Sequence, residues 1–170
     1  MKITDKLVAA YSDQVTMELA SSNAYLQMSA WFDRADLPGM ASWMRIQSDE
    51  ERLHALRFID FVLDRGNQVA IGEAPAPEKE FSTARSVFEA ALANEQKVSA
   101  AIRDLYHLAS SEGDVESFAL LEWFLTEQIE EEATVDTILG QLSHAGDDGS
   151  ALLLLDRELG ARNLAAEPPA

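Results

Sequence analysis

The stretch DEERLH, residues 49–54, places a glutamate and a histidine three positions apart in an amphipathic segment. Residues three apart on an α-helix lie on one face, so Glu51 and His54 point in the same direction. That face also carries the apolar residues Met44 and Phe58, as expected of a face that packs into a core. Carboxylate and imidazole groups together bind borderline divalent metal ions. The pattern therefore indicates a metal site inside the protein.

Three further segments carry acids on their apolar faces. Taking every third or fourth residue gives four inward rows, and each row is polar near its middle, where a helical bundle is normally apolar. Helix middles meet whichever way the helices run, so these polar groups are expected to converge. The rows are Tyr11, Val15, Glu18, Ser22, Tyr25, Ser29, Phe32; Met40, Met44, Gln47, Glu51, His54, Phe58, Phe61; Phe88, Leu92, Glu95, Ser99, Ile102, Tyr106; and Leu121, Phe124, Gln128, Glu131, Val135, Ile138, Leu142.

This convergence needs a positive charge. A buried, unpaired carboxylate is strongly unfavourable or takes up a proton, and none of the four rows contains a lysine or arginine. A metal ion is the simplest counter-charge. A lone ExxH is a common chance pattern, and Glu18 or Glu95 taken singly could face solvent instead. The prediction of a metal centre depends on the four rows together.

Four long helical segments must position these residues. Apolar spacing of three and four predicts helices over 5–34, 40–65, 83–111 and 115–141,. Short breaks at 37–39 and 113–114 predict two antiparallel hairpins. The sequence therefore predicts an all-α bundle of four helices.

The connection between the second and third helices is long. Residues 66–82 have glycine and proline punctuation and no helical period,. A crossover of this length can span the bundle and make the second and third helices parallel. After the fourth helix, ALLLLDRELGAR predicts a short fifth helix. We expect one domain over 1–162 and a disordered tail over 163–170.

Composition limits the partners. The 170 residues include 30 acids against 13 lysines and arginines, for a net charge of -17, which disfavours nucleic-acid binding and favours cations. The chain has no cysteine, so any metal must be held by oxygen and imidazole ligands. No apolar run approaches the roughly 20 residues of a membrane span, and the N-terminus lacks the apolar core of a signal peptide. We expect a cytoplasmic protein with no membrane partner.

Four motifs resemble signature segments of bacterial non-haem ferritins. They are MELASSNAYLQMSAW, DEERLH, ANEQ and WFLTEQIEEE, and they follow the family's order and spacing over nearly the whole chain. The resemblance implies a ferritin-like four-helix bundle with a long crossover and a short fifth helix. It further implies assembly into a twenty-four-subunit shell that oxidises Fe(II) with dioxygen or peroxide and stores ferric mineral.

The resemblance also implies roles for individual residues. By position, the first iron site corresponds to Glu18, Glu51 and His54, and the second to Glu51, Glu95 and Glu131, with Glu51 bridging. Gln128 matches a glutamine beside the pair, and Tyr25 matches a tyrosine that supplies an electron or a hydrogen bond. Glu50, Glu127 and Glu130 resemble an accessory third iron site; each adjoins a core position, so it points about 100° aside on its helix.

Haem-binding bacterioferritins differ at two places. They carry a methionine after the bridging glutamate and a second ExxH on the fourth helix, whereas this chain has Arg52 and the sequence EQIE over 127–130. No haem is therefore expected. The alternatives left open are a bacterioferritin or a rubrerythrin-like di-iron oxidase or peroxidase, and a metal-free acidic bundle with a structural role.

Overall fold

The computed structural model describes residues 2–162, which form five α-helices and one short 3-10 turn. The helices are α1 (Asp5–Arg34), α2 (Pro38–Asp64), α3 (Ala84–Glu112), α4 (Phe118–Ala145) and α5 (Gly149–Leu159). The predicted all-α class is confirmed. The predicted tail over 163–170 lies outside the described residues. Within the described part, no helix combines the length and apolar character needed to cross a membrane.

The helix ends follow local chemistry. α2 begins at Pro38 rather than at residue 40, because the fixed φ of proline suits a first helical turn. Thr83 caps α3 by accepting from the backbone N–H of Ser86,. Gly113 ends α3 in the left-handed conformation with φ of 69°,. The fourth helix begins later than predicted because Val115–Ser117 form the 3-10 turn.

Side-chain contacts establish the helix directions. Along α1, Tyr11 contacts Phe58 near the end of α2, whereas Ser22 bonds Ser48 nearer its start, so α1 and α2 are antiparallel. α1 and α3 are also antiparallel, because Tyr25 bonds Glu95 and the later Phe32 contacts an earlier α3 residue. α2 and α3 are therefore parallel, as the long crossover predicts.

The crossover lies along α1. Ser12 Oγ accepts a hydrogen bond from the backbone N–H of Ala70 at 3.1 Å, and Thr16 Oγ1 accepts one from Gly72 at 2.9 Å. These two hydroxyls lie one helical turn apart and pair with crossover residues two apart. They hold the connection against the bundle without regular secondary structure of its own.

Two apolar clusters fill the bundle on either side of its middle. One contains Phe32, Met44 and Phe88, and the other contains Tyr11, Phe58 and Phe124. Most of the buried acidic side chains lie between them along the helices. The fold therefore places a polar layer between two apolar layers, which shield it from solvent at both ends.

α5 docks against the start of α2. Oδ1 of Asp156 accepts a hydrogen bond from the backbone N–H of Met40 at 2.8 Å. A Cβ atom on Gly39 would lie 1.7 Å from the carbonyl oxygen of Asp156, and one on Gly160 would lie 2.9 Å from the Gly39 Cα. The two helices approach this closely only because both positions are glycine.

We expect Gly39→Ala to lower the free energy of unfolding by about 1–3 kcal/mol, because the added methyl overlaps the α5 backbone. Gly140→Ala is the matched control: it lies in α4 with no atom within 4 Å of an added Cβ, and it should raise stability by about 0.5–1 kcal/mol. Thermal melts followed by circular dichroism compare the two. A Gly39→Ala chain that melts like the parent contradicts the tight docking of α5.

Candidate metal centre

Glu18, Glu51 and His54 meet in the polar middle of the bundle. One ligand atom from each lies within 4.8 Å of the others, and all three side chains are buried. Nδ1 of His54 is 3.8 Å from Oε2 of Glu51, which is too long for a hydrogen bond. Two ligands bonded to one ion at about 2.1 Å lie up to about 4 Å apart. Small side-chain movements would therefore bring these groups around a single ion.

The carboxylates of this cluster are incompletely satisfied. Nε2 of Gln14 donates to Oε1 of Glu18 at 2.7 Å, and Nε2 of Gln47 lies 3.3 Å from Oε1 of Glu51. The second oxygen of each glutamate is buried and has no hydrogen-bond partner among the described residues. A buried oxygen without a donor is costly unless a cation binds it. The free oxygens therefore fit a cation-binding role.

Glu95 and Glu131 approach Glu51 from the other two helices. Tyr25 donates its hydroxyl proton to Oε1 of Glu95, and Nε2 of Gln128 donates to Oε2 of Glu95 at 3.1 Å. Nε2 of Gln47 donates to Oε2 of Glu131 at 2.8 Å. Gln128 therefore presents its amide nitrogen to Glu95, so its observed contact is a hydrogen bond to a carboxylate.

Burial and mutual repulsion favour protonated carboxyls in this cluster. Burial, followed by the charge of Glu51, raises the pKa of Glu18 and of Glu95 well above the ordinary value. The same causes raise the pKa of Glu131 to about 7. Burial opposes protonation of His54, but the adjacent carboxylate of Glu51, aided by the charges of Glu18 and Glu131, outweighs it and raises the pKa of His54 to about 10.

These shifts describe a site with excess negative potential. Four glutamates, Glu18, Glu51, Glu95 and Glu131, are buried in this layer, and Nδ1 of His54 lies 3.8 Å from one of them, Glu51. A divalent cation would replace the protons that otherwise neutralise the acids. The donor set of hard oxygens with one imidazole suits iron and similar ions.

Comparison with known proteins agrees with this fold and donor set. A family model described as the Ferritin-like domain matches residues 8–145. The chain belongs to the ferritin family. The resemblance predicted from the four motifs is therefore confirmed.

Individual relatives match over nearly their full length. The bacterial non-heme ferritin of Staphylococcus haemolyticus is 35% identical over 165 residues, 97% of this chain and 99% of that protein. The corresponding protein of Staphylococcus saprophyticus is 36% identical, over 95% of this chain and 96% of its own. The relationship to bacterial non-haem ferritins that the motifs predict thus extends across the chain.

Solved structures show the same ferritin fold. An open pore ferritin from the hyperthermophilic archaeon Archaeoglobus fulgidus superposes with a TM-score of 0.93 at 36% identity, covering 95% of this chain and all of that chain. A humanized archaeal ferritin gives a TM-score of 0.95 at 35% identity, covering 97% of this chain and 100% of that one. The predicted four-helix bundle with a long crossover and a fifth helix is confirmed.

The three acids predicted for a third iron site occupy different environments in this ferritin-family chain. Glu50 is partly buried, and its Oε2 accepts from Nη2 of Arg162 at 2.5 Å. Glu127 is partly buried and Glu130 is exposed. The structure thus places an arginine on one of the three acids. Their joint role as an iron site stays a prediction.

Two residues that contact this region were missed by the sequence analysis. Gln14 lies four residues before Glu18 on α1, and that spacing could have identified it as a hydrogen-bond partner. Arg162 follows α5 and contacts Gln47 and Glu50 of α2. It lies on none of the four rows and reaches the polar layer from outside the four bundle helices. No spacing signal in the sequence identifies it.

Proposed function

We propose that this chain is an iron-storage ferritin that oxidises Fe(II) at its intrasubunit carboxylate and histidine cluster. The observation that carries the proposal is the buried meeting of Glu18, Glu51 and His54 within 4.8 Å, with carboxylate oxygens that lack donors. Family membership over residues 8–145 supports a role in iron storage. The buried cluster supports the additional proposal that the chain oxidises Fe(II).

The proposed reaction takes two Fe(II) ions as substrates. Each ion gives up one electron, and one dioxygen accepts both electrons with two protons to leave as hydrogen peroxide. Peroxide used as the oxidant accepts two electrons with two protons and leaves as two water molecules. Glu18, Glu51 and His54 would hold one ion and Glu51, Glu95 and Glu131 the other. Hard anionic oxygens favour the ferric product, whereas the imidazole maintains affinity for the ferrous substrate.

Tyr25 is proposed as an accessory residue of this reaction. Its hydroxyl donates to Glu95, so it orients a carboxylate of the second iron position. Burial, together with the charges of Glu95 and Glu51, raises its pKa well above the ordinary value. Tyr25 therefore remains a protonated hydrogen-bond donor while it lies against these acids.

The accessory third iron at Glu50, Glu127 and Glu130 remains part of the proposal. Each of the three acids lies one residue from an inward position of α2 or α4. Because Arg162 is bonded to Glu50, a third ion there would have to displace the guanidinium. Binding of a third ion would therefore cost the free energy of breaking the Arg162–Glu50 contact. The two proposed iron positions inside the bundle carry no such cost.

Assembly into a twenty-four-subunit shell is proposed as the route to storage. Leu153 and Leu154 of α5 are 50% and 67% exposed in the single chain, and Ile71 of the crossover is 58% exposed. Large apolar side chains exposed together often mark contacts between subunits. A closed acidic shell would hold the ferric product away from solvent as mineral.

Aerobic iron loading tests the proposal directly. The purified chain is expected to elute as a particle many times larger than one 18.7 kDa subunit and to retain far more iron per subunit than two or three ions after gel filtration. Rapid turnover without retained iron would favour a rubrerythrin-like oxidase or peroxidase instead. Haem absorbance would indicate a bacterioferritin. A small particle that binds no metal would leave the acidic bundle with a structural role.

A further inference from the structure

The segment after α5 carries an arginine to the edge of the metal centre. The close contact between Gly39 and Gly160 fixes where the chain leaves α5, two residues before Arg162. The guanidinium then lies 4.7 Å from the centre of the Trp43 ring on α2. Stacking of an arginine on an aromatic face restricts its orientation. Arg162 is therefore held by the docking of α5 as well as by its polar contacts.

Arg162 contacts two side chains one turn apart on α2. Nη1 donates to Oε1 of Gln47 at 2.8 Å, and Nη2 donates to Oε2 of Glu50 at 2.5 Å. Its side chain is only 24% exposed, and that of Glu50 is 12% exposed. Gln47 is fully buried. The fork of the guanidinium thus spans a buried amide and a mostly buried carboxylate.

The contact with Gln47 determines which way its amide points. A glutamine amide has one oxygen that accepts and one nitrogen that donates. With the oxygen bonded to Arg162, the nitrogen must face the opposite side. There it donates to Oε2 of Glu131 at 2.8 Å and lies 3.3 Å from Oε1 of Glu51. Arg162 is therefore linked to two carboxylates of the cluster through a single amide.

We propose that Arg162 is a positioning residue of the metal centre, acting through Gln47 on Glu51 and Glu131. This inference rests on the proposed function, because it requires that these glutamates bind metal. Hydrogen-bond partners of ligating carboxylates commonly affect metal affinity 10- to 100-fold. Arg162 acts one step further out, by fixing the partner itself.

Positioning and simple charge have opposite consequences for metal binding. A positive group near the cluster repels a divalent ion, so removing its charge alone would tighten binding. Removing a positioning contact would loosen binding, because Gln47 would no longer be fixed against the two carboxylates. The direction of change in metal affinity therefore separates the two roles.

Anaerobic titration with Co(II), whose visible absorption reports ligand number and geometry, tests the inference without iron turnover. Arg162→Ala is expected to weaken Co(II) binding about tenfold and to change the absorption envelope. The control is Arg157→Ala, which removes an exposed arginine of α5 and should bind Co(II) within twofold of the parent. Arg162→Lys should resemble Arg162→Ala, because an ammonium lacks the planar fork that serves Gln47 and Glu50 together.

A double-mutant cycle shows whether the effect passes through Gln47. In a Gln47→Leu background, Arg162→Ala should change Co(II) affinity less than twofold, because the intermediary is already absent. Tighter binding in Arg162→Ala, full rescue by Arg162→Lys, or an undiminished effect in the Gln47→Leu background would each overturn the inference. A parent chain that binds no Co(II), or that binds it equally well after Glu51→Ala, would instead overturn the proposed function.

Discussion

Glu51→Ala is expected to abolish rapid Fe(II) oxidation while the helical fold remains. Glu51 lies beside Glu18 and His54, and its charge acts on Glu95 and Glu131. In the proposed reaction it is the one carboxylate shared by both iron positions. Its loss would leave neither ion fully held, and misplacement of reacting groups by about 1 Å already costs on the order of 100-fold in rate. We expect a decrease of at least that size.

Stopped-flow mixing of the iron-free protein with Fe(II) and oxygen measures this rate. The matched control is Asp49→Ala, which removes an exposed carboxylate from the same helix two residues earlier and should oxidise Fe(II) at the parent rate. Circular dichroism and gel filtration establish that both variants fold and assemble alike. Oxidation by Glu51→Ala at the parent rate would remove the bridging role from the proposal.

The inward side chains could be predicted because each depends on the geometry of one helix. The spacing of Glu51 and His54 fixes their relative direction on any α-helix, and the apolar residues on the same face fix which side is buried. The parallel arrangement of α2 and α3 followed from the length of the crossover alone. Local rules therefore sufficed for the bundle and for the residues that meet inside it.

The position of Arg162 could not be predicted in this way. It depends on how α5 docks against α2, and that docking depends on the absence of a Cβ at Gly39 and Gly160. Neither glycine carries a pattern that identifies its partner. The amide direction of Gln47 likewise depends on the whole hydrogen-bond network. Sequence periodicity predicts which side of its helix a residue occupies. It does not predict which side chains from distant parts of the chain that residue contacts, because those contacts depend on the tertiary structure.

The iron-free protein is expected to lose stability as the pH rises from 5 to 8. A carboxyl whose pKa is raised on folding binds its proton more tightly in the folded chain than in the unfolded chain. For Glu131, with its pKa raised from 4.5 to about 7, this contribution is complete below pH 4.5 and is lost as the pH rises toward 7. For His54, raised from 6.5 to about 10, the loss extends from pH 6.5 toward 10. Both groups act in the same direction.

Glu131→Gln is expected to flatten the lower part of this pH dependence, because glutamine keeps the shape of the side chain without the titrating proton. At pH 8 the parent bears about 3 kcal/mol of destabilisation from ionised Glu131, which the variant avoids. The iron-free variant should therefore melt several degrees higher than the parent at pH 8 and closer to it at pH 5. Asp136→Asn, which removes an exposed carboxylate of the same helix, should keep the parent's pH dependence.

Zn(II), which cannot change oxidation state, should reverse the order of the two proteins at pH 8. An ion that binds only the folded state stabilises it by about 2.7 kcal/mol at 100 times its dissociation constant. It also displaces the protons, so its effect on the parent should grow as the pH rises. Glu131→Gln lacks one anionic ligand and should gain less. Calorimetric melts with and without Zn(II) at pH 5 and pH 8 measure each difference. Two results would contradict a buried cluster of carboxylates that exchanges protons for metal. One is an iron-free parent that becomes more stable as the pH rises toward 8, and the other is a parent whose melting temperature does not change with saturating Zn(II).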